Sequence, residues 1–325
     1  MITNHNCRET YKHYSLLHIY FTAISDNNSS RREAVGKIAG TAIPMKEYVK
    51  TIPVPRTYVT RQDSHIRVSN YPESASEVTA IQIVTLNRPE KLNAITDEMI
   101  NTLTDLWTTY DVDDRVKVII LTGAGNRAFS AGIDLTLDAS GEKNRPVRDL
   151  RDPGGTLALA MFNCSKTIIV AYNGLSVGIG MTSTLAAAIR YVPSQMKYSQ
   201  SSSRTSIASV KSEFGFPFAR IGLTMESCSS FFLPRMVGYS NATYLLATGK
   251  RYPADANVLN GIFAELLPEP DQVLPKAIEI AEDIVKNVST MAIHLNRQMI
   301  WRNASSAEAA HLMDSPLLMD MFGGQ

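Results

Sequence analysis

The sequence predicts an α/β fold with a helical C-terminal region. Short runs of β-branched and apolar residues, which are typical of buried strands, alternate with segments whose apolar residues recur at helical spacing. The runs 77–86 and 116–122 show the first pattern, and 96–110 shows the second. From residue 271 onward the pattern is helical. Strands and helices that alternate at this spacing indicate an α/β core.

The individual elements follow from local signals. Thr96 and Asp97 form a capping signal in front of the helical segment 96–110, and Gly123 closes the strand-like run before it. Further strands are predicted at 65–69 and 167–172, and further helices at 156–162, 178–188, 273–287 and 291–302. A serine-rich run within residues 194–212 predicts a flexible loop between the core elements.

These elements divide the chain into three parts. Residues 1–60 lack a sustained period and are interpreted as an N-terminal extension of uncertain order. Residues 61–264 carry the alternating pattern and form the predicted core. Residues 265–325 form a helical region with an apolar face, which we expect to serve in oligomerisation. That face includes Val273, Ala277, Ile280 and Ile284.

The composition excludes several classes of function. The chain has 325 residues and a net charge of +1, so it lacks the positive field of proteins that bind nucleic acids or anionic membranes. Cys7, Cys164 and Cys228 are too few and too scattered for a disulfide framework, which indicates a reducing compartment. The apolar stretch 14–24 is too short to span a bilayer. No metal-ligand cluster or nucleotide-binding glycine motif is present, so we expect neither a metal nor a bound cofactor.

Three junctions stand out because each ends a predicted buried strand in small residues. They are LNRPEKLNA (86–94), AFSAGIDL (128–135) and YNGLSVGIG (172–180). Small residues allow backbone N–H groups to approach a ligand closely, and a helix that starts there directs free N–H donors toward negative charge. Two N–H groups that converge on one point would form an oxyanion hole. A single junction of this kind could merely satisfy turn geometry, but three in series point to a site.

The same three motifs resemble the crotonase superfamily of enoyl-CoA hydratases and isomerases. The resemblance covers roughly residues 65–310. It implies a ClpP-like core of repeated ββα units, a helical C-terminal region, and assembly as a homotrimer or hexamer. It also implies an acyl-CoA substrate, in which coenzyme A is part of the substrate rather than a separate cofactor. Together with the absence of a targeting signal, it leads us to expect a peroxisomal or cytoplasmic protein.

The resemblance assigns roles to particular residues. The backbone N–H groups of Ile133 and Ile179 match the oxyanion donors, although the family usually has glycine at the second position. Asp134 could instead have a structural role, because an aspartate after a tight turn often caps the next helix. The residues expected to bind the acyl-CoA are Arg88, Lys91, Asn93, Ala94, Ser130, Ala131, Gly132, Asp134, Leu135 and Gly178.

The acid/base residues bear on the reaction. Hydratases of the family use two glutamates, and the matching positions here hold Thr182 and Phe218. The segment IGLTMESCSS (221–230) instead resembles the stretch that carries the catalytic acid of peroxisomal-type Δ3,Δ2-enoyl-CoA isomerases, which places Glu226 on that acid. Its apolar neighbours predict a raised pKa. The alternative reading is that Glu226 merely favours a helix N-terminus.

These observations lead to one expected function and two alternatives. We expect an isomerase that shifts a C=C double bond of an enoyl-CoA, in fatty-acid oxidation or in a fungal secondary-metabolite pathway of the toxin type. The first alternative is an enoyl-CoA hydratase or another crotonase reaction. The second is a non-catalytic acyl-CoA-binding scaffold, which Ala188 favours because many relatives carry aspartate at that position.

Overall fold

The computed structural model describes residues 52–134, 151–193, 212–302 and 305–323. The chain divides into two compact units, and residues 52–294 form the larger one. The boundary at residue 295 falls within the helix Thr290–Trp301. The expected extension up to residue 51, the serine-rich segment up to residue 211, and Leu135 lie outside the described residues.

The larger unit contains two sheets. The six-stranded sheet has the order β1-β2-β3-β5-β7-β10, and its strands are parallel except for the antiparallel pair β1–β2. Its strands are β1 (Ile66–Tyr71), β2 (Ile81–Leu86), β3 (Val118–Gly123), β5 (Thr167–Ala171), β7 (Ile189–Pro193) and β10 (Glu265–Leu267).

The four-stranded sheet has the order β4-β6-β8-β9, with β8 and β9 antiparallel. Its strands are β4 (Ala128–Ser130), β6 (Leu175–Val177), β8 (Glu213–Gly215) and β9 (Arg251–Pro253).

Eight helices are described. They are α1 (Asp97–Val112), α2 (Pro153–Asn163), α3 (Ile179–Thr182), α4 (Ser229–Val237), α5 (Tyr239–Thr248), α6 (Val273–Asn287), α7 (Thr290–Trp301) and α8 (Ala307–Gly323). Within the described residues, none of these helices is long and apolar enough to cross a membrane.

The order of these elements confirms the expected ββα repeat. Each repeat gives its first strand to the six-stranded sheet, its second strand to the four-stranded sheet, and then a helix. The repeats are β3-β4-α2, β5-β6-α3 and β7-β8-α4. The β3–β4 and β5–β6 connections are short, so β4 and β6 follow closely on strands of the six-stranded sheet. The second and third junctions seen in the sequence contain β4 and β6 and the residues directly after them.

Both faces of the six-stranded sheet are covered by helices. Ile120 and Ile169 pack against Ala277 of α6, in a cluster that is almost fully buried. Because neighbouring residues of a strand point to opposite faces, Leu121 faces the other side and meets Trp107 of α1 and other apolar residues there. Buried strands of this kind read as continuous apolar runs, which is why 116–122 was recognisable in the sequence.

Two elements differ most from the sequence prediction. The strand predicted at 77–86 begins only at Ile81. The helix predicted at 178–188 ends at Thr182 and continues as turns. The hydroxyl of Ser183 donates to Ile179 O (2.6 Å), and that of Thr184 donates to Met181 O (2.8 Å). Hydroxyls that bond to nearby carbonyls compete with the helical ladder, and the propensity signal did not include this effect.

Candidate active site

The first feature of the site is the backbone around Ile133. Its segment runs beside residues 92–95, where Ile95 N donates to Gly132 O (2.8 Å) and Asp134 N donates to Ile95 O (2.8 Å). Ile95 and Ile133 thereby form a parallel bridge. In such a bridge only one of the two residues uses its own N–H and C=O, so the amide of Ile133 points away from residue 95.

The second feature is the first turn of α3. Gly178 precedes it with a positive φ of 55°, and Gly178 O accepts from the amides of Met181 (2.8 Å) and Thr182 (2.9 Å). The first amides of a helix have no acceptor within the helix. Among the described residues, neither Ile179 N nor Ile133 N donates a backbone hydrogen bond.

The two amides follow glycines that lie against each other. A β-carbon on Gly178 would lie 3.9 Å from Gly132 Cα, and a β-carbon on Gly132 would lie 3.1 Å from Val177 O. Gly132 has a φ of 95°, which an L-residue with a side chain rarely adopts. This contact brings the segments that carry the amides of Ile133 and Ile179 together, and neither amide donates a backbone hydrogen bond. That is the arrangement an oxyanion hole requires.

Ser130 and Gly180 hold the two segments in contact. Ser130 Oγ accepts a hydrogen bond from Gly132 N (3.2 Å). A β-carbon on Gly180 would lie only 2.6 Å from Ser130 Cβ, so α3 rests directly on this serine. The side chain of Ser130 therefore contacts both segments that form the candidate oxyanion hole.

Glu226 is presented by a turn in front of α4. Ser227 and Cys228 both adopt left-handed conformations, with φ of 54° and 56°, and Ser229 N donates to Glu226 O (2.9 Å) as the helix begins. The carboxyl of Glu226 makes two short hydrogen bonds. Its Oε1 meets the hydroxyl of Thr182, and its Oε2 meets the hydroxyl of Ser227.

Gly154 shows that Glu226 lies next to the candidate oxyanion hole. A β-carbon on Gly154 would overlap Glu226 Oε2 and Ser227 Oγ, and it would lie 3.1 Å from Ile179 Cδ1. The carboxyl of Glu226 and the side chain of Ile179 therefore both border the same small space. Since the amide of Ile179 is one of the two donors, the structure brings all three predicted catalytic residues together.

The surroundings of Glu226 favour its neutral form. Burial raises the pKa of Glu226 above its ordinary value, because a carboxylate loses hydration there. The hydrogen bonds from Ser227 and Thr182 oppose this, whereas the negative charge of Asp152 adds to the rise in pKa. A carboxyl whose pKa is raised is a stronger base when ionised, which favours its taking a proton from substrate.

The hydroxyl of Thr182 can serve both protonation states of Glu226. It lies 3.1 Å from Gly178 O and also contacts Glu226 Oε1. A hydroxyl carries one proton. When Thr182 donates to Gly178 O, its oxygen can accept from a protonated Glu226. When Glu226 is ionised, the same hydroxyl can turn and donate to it.

Thr182 and Phe218 occupy the two positions that match the hydratase glutamates. Both are buried, and Phe218 begins a short 3-10 helix that ends at Ile221. A threonine hydroxyl and a phenyl ring cannot activate water as carboxylates do. Glu226 is thus the carboxyl that the structure places beside the oxyanion donors.

Two of the residues expected to bind coenzyme A, Arg88 and Asn93, connect neighbouring loops by an ion pair and hydrogen bonds. The Arg88 guanidinium forms an ion pair with Asp134 (2.9 Å) and donates to Ala94 O (2.8 Å). Asn93 is buried, donates to Ala128 O (2.8 Å), and accepts from Arg88 N (3.0 Å). Lys91 is exposed, and Ala94 and Ala131 are partly buried. Their contacts with coenzyme A stay predictions.

Three residues of the site were missed in the sequence. Asp152, Gly154 and Ser227 surround Glu226, and none was singled out. Asp152 did carry a signal, because an aspartate followed by proline is a common helix start, and α2 begins at Pro153 with Asp152 as its cap. Gly154 and Ser227 had no such signal, since their roles depend on contacts across the fold.

Comparisons with known proteins identify the family. The sequence model of the family "Enoyl-CoA hydratase/isomerase" matches residues 76–322. The chain is 38% identical to the enoyl-CoA hydratase ACTT3 of Alternaria alternata over 77% of this chain and 78% of that protein. It is 32% identical to an Arabidopsis thaliana protein named "Probable enoyl-CoA hydratase 1, peroxisomal", over 67% of this chain and 74% of that one.

A solved structure agrees with this result. A monofunctional enoyl-CoA isomerase from M. smegmatis is similar with a TM-score of 0.56 and 25% identity, over 76% of this chain and 97% of that chain. The chain belongs to the enoyl-CoA hydratase/isomerase family, and the expected crotonase fold is confirmed. The relatives include both hydratases and an isomerase, so the family alone does not decide the reaction.

The position of Gly154 gives a first prediction. Gly154→Ala would place a methyl group on the carboxyl of Glu226 and displace it. Because a shift of about 1 Å can cost about a hundredfold in rate, we expect kcat to fall by about that factor. The overlap also costs stability, by about 1–3 kcal/mol for overpacking of this kind, so the melting curve serves to show that the variant is folded at the assay temperature. Steady-state kinetics and a melting curve test this together, and wild-type turnover would contradict the placement of Glu226.

Proposed function

We propose that this protein is an enoyl-CoA isomerase that shifts a double bond from C3 to C2 of an acyl-CoA. The observation that carries the proposal is the position of Glu226. It is a carboxyl with a raised pKa beside the free amides of Ile133 and Ile179, while Thr182 and Phe218 stand where hydratases use glutamates.

The proposed reaction is a 1,3-proton transfer. Glu226 takes a proton from C2 of the 3-enoyl-CoA, and the electron pair of that C–H bond moves into the thioester to form an enolate. The amides of Ile133 and Ile179 stabilise the negative oxygen of this enolate. Glu226 then returns the proton at C4, the double bond forms between C2 and C3, and the carboxylate is restored. One carboxyl therefore balances the reaction.

The arrangement meets the two requirements of this chemistry. An enolate is high in energy, so its oxygen must be stabilised where the charge develops. The base must also lie close to C2 and C4, and its pKa must be high enough for the carboxylate to take a proton from carbon. Burial raises the pKa of Glu226 and so supports the second requirement, and the hydrogen bonds with the hydroxyls of Thr182 and Ser227 orient the carboxyl.

Hydration is the second candidate function. It is favoured by the names of the Alternaria alternata and Arabidopsis thaliana relatives, both of which are described as hydratases. In that case Glu226 would have to orient a water molecule without a second carboxyl. A non-catalytic acyl-CoA-binding scaffold is the third candidate, and it shares the same binding loops.

The remaining expectations belong to the proposal as well. We propose a homotrimer or hexamer, built through the helical C-terminal region. We also propose a role in fatty-acid oxidation or in a secondary-metabolite pathway, with the peroxisome or the cytoplasm as the compartment. The printed name of the Arabidopsis thaliana relative supports the peroxisome, and the 38% identical Alternaria alternata protein supports an acyl-CoA substrate.

A paired assay tests the reaction. Purified protein is given 3-enoyl-CoA and 2-enoyl-CoA of the same chain length. We expect isomerisation of the first, and hydration of the second at least about a hundredfold slower, because a general base is missing for water. Faster hydration would favour the second candidate. Binding of both compounds without turnover would favour the scaffold.

A further inference from the structure

Asp152 connects two parts of the chain that meet at Glu226. It is the residue immediately before α2, and its Oδ2 accepts hydrogen bonds from Gly155 N (2.5 Å) and Ser227 N (3.2 Å). The first bond caps α2. The second reaches a residue 75 positions further along the chain, next to Glu226. One carboxylate oxygen therefore holds both the start of α2 and the turn that presents Glu226.

The turn at Ser227 needs such a partner. Ser227 and Cys228 are consecutive residues whose backbones both lie in the left-handed region, which is unfavourable for any residue with a side chain. A turn of this kind persists only when surrounding contacts fix it. The bond from Ser227 N to Asp152 is one such contact. The hydrogen bond from Ser227 Oγ to the Glu226 carboxyl then fixes the side chain of Glu226 relative to this turn.

We propose that Asp152 is a positioning residue for Glu226: by accepting from Gly155 N and Ser227 N, it locks the turn and keeps the Glu226 carboxyl beside the amide of Ile179. The inference rests on the proposed role of Glu226 in the reaction. Asp152 does not touch the reacting atoms, and it acts through the turn.

The charge of Asp152 has a second consequence. The side chains that bear on the Glu226 carboxyl are the Asp152 carboxylate and the hydroxyls of Thr182 and Ser227. The Cys228 thiol lies in the same turn, and the Ser229 hydroxyl donates to Glu226 O. The charge of Asp152 raises the pKa of Glu226 because a second negative charge nearby is unfavourable. Removing that charge should therefore lower the pKa of Glu226, toward its ordinary value.

Two substitutions separate the geometric and the electrostatic effect. In Asp152→Asn the side-chain oxygen can still accept both hydrogen bonds, because a carbonyl oxygen has two lone pairs, but the charge is lost. In Asp152→Ala both the acceptor and the charge are lost. Ser289→Ala is the matched control, since Ser289 Oγ likewise accepts from a first-turn amide, that of Ala292 (3.3 Å), at the start of α7.

The experiment combines kinetics with a titration of Glu226. Steady-state rates on 3-enoyl-CoA are measured across pH, and the carboxyl carbon of Glu226 is titrated by NMR after carbon labelling of glutamate, with Glu226→Gln for assignment. For Asp152→Ala we expect kcat to fall by about a hundredfold with KM within about twofold of wild type. Asp152→Asn should recover most of that loss and should titrate at lower pH. Ser289→Ala should match wild type in both.

The outcomes decide the proposal whichever reaction the enzyme performs. If Asp152→Ala behaves like Ser289→Ala, or if Asp152→Asn is as slow as Asp152→Ala, Asp152 does not position Glu226 through these bonds. An unchanged titration of Glu226 in Asp152→Asn would show that the charge of Asp152 does not raise the pKa of Glu226. The NMR titration needs no turnover, so it also tests the positioning if wild type fails to isomerise 3-enoyl-CoA and the proposed function itself is wrong. A carboxyl released from its buried position in Asp152→Ala regains hydration, so its pKa should fall further than in Asp152→Asn. Equal titrations of Glu226 in the two variants would contradict the positioning role.

Discussion

Glu226→Gln is expected to lower kcat for 3-enoyl-CoA isomerisation by at least about a hundredfold, because a general base contributes about 10²–10⁴ in rate. Glutamine has nearly the same shape and can keep hydrogen bonds to Thr182 and Ser227, the two hydroxyls that hold Glu226. It cannot accept a proton from C2. We therefore expect KM to stay close to wild type, as for a group that acts mainly in the transition state.

The controls for this variant are the two positions that replace the hydratase glutamates. Thr182→Ala and Phe218→Leu should reduce kcat less than Glu226→Gln, since neither residue moves a proton. The measurement is steady-state kinetics of all three variants on one substrate preparation. Isomerisation by Glu226→Gln at the wild-type rate would refute the assignment. Asp152 would then be the next acid to test, because Asp134 is engaged in an ion pair with Arg88.

Gly132→Ala is expected to have an effect of similar size, about 10²–10³ in kcat, the loss typical for one oxyanion donor. Gly132 has a φ of 95°, and its β-carbon would lie 3.1 Å from Val177 O. The added methyl group must push this loop away from the start of α3. Such a shift separates the amides of Ile133 and Ile179, so the enolate oxygen can no longer contact both.

Gly125→Ala is the matched control for this substitution. Gly125 also has a positive φ, 77°, but its β-carbon would meet only Pro89 Cβ at an ordinary 3.6 Å. Both variants therefore carry a similar backbone strain, and only Gly132→Ala disturbs the pair of amides. The kcat values and melting temperatures of the two variants are compared. Equal losses of activity in both would mean that strain, rather than the oxyanion hole, explains the effect.

Several parts of the fold could be predicted because their signals are local. The run 116–122 is apolar from Val118 to Leu121, since a strand buried on both faces has no polar side. Thr96 was recognised as a helix start, and its hydroxyl accepts from Met99 N (3.2 Å) at the first turn of α1. The glycines at 132 and 178 pointed to close approach of the backbone, and both have a positive φ.

The rest of the site depends on contacts between distant segments. Nothing near Gly154 in the sequence shows that Glu226 will fill the space above it. The link from Asp152 to Ser227 likewise exists only once the repeats have stacked. Arg88 was expected to bind coenzyme A, and the sequence did not show that Asp134 would lie 2.9 Å away to pair with it. Charge and motif position alone do not reveal such partners.

The most direct test of the proposed proton transfer asks whether oxygen from water enters the product. Wild-type protein converts 3-enoyl-CoA in water whose oxygen is isotopically labelled, and the product is analysed by mass spectrometry after limited turnover. A proton transfer by Glu226 alone predicts 2-enoyl-CoA with unchanged mass and no labelled oxygen. No conversion of 3-enoyl-CoA would show that the protein does not move its double bond. A product that carries labelled oxygen at C3 from the earliest time points would show that the site activates water. Either result would contradict the assignment of one shuttling carboxyl.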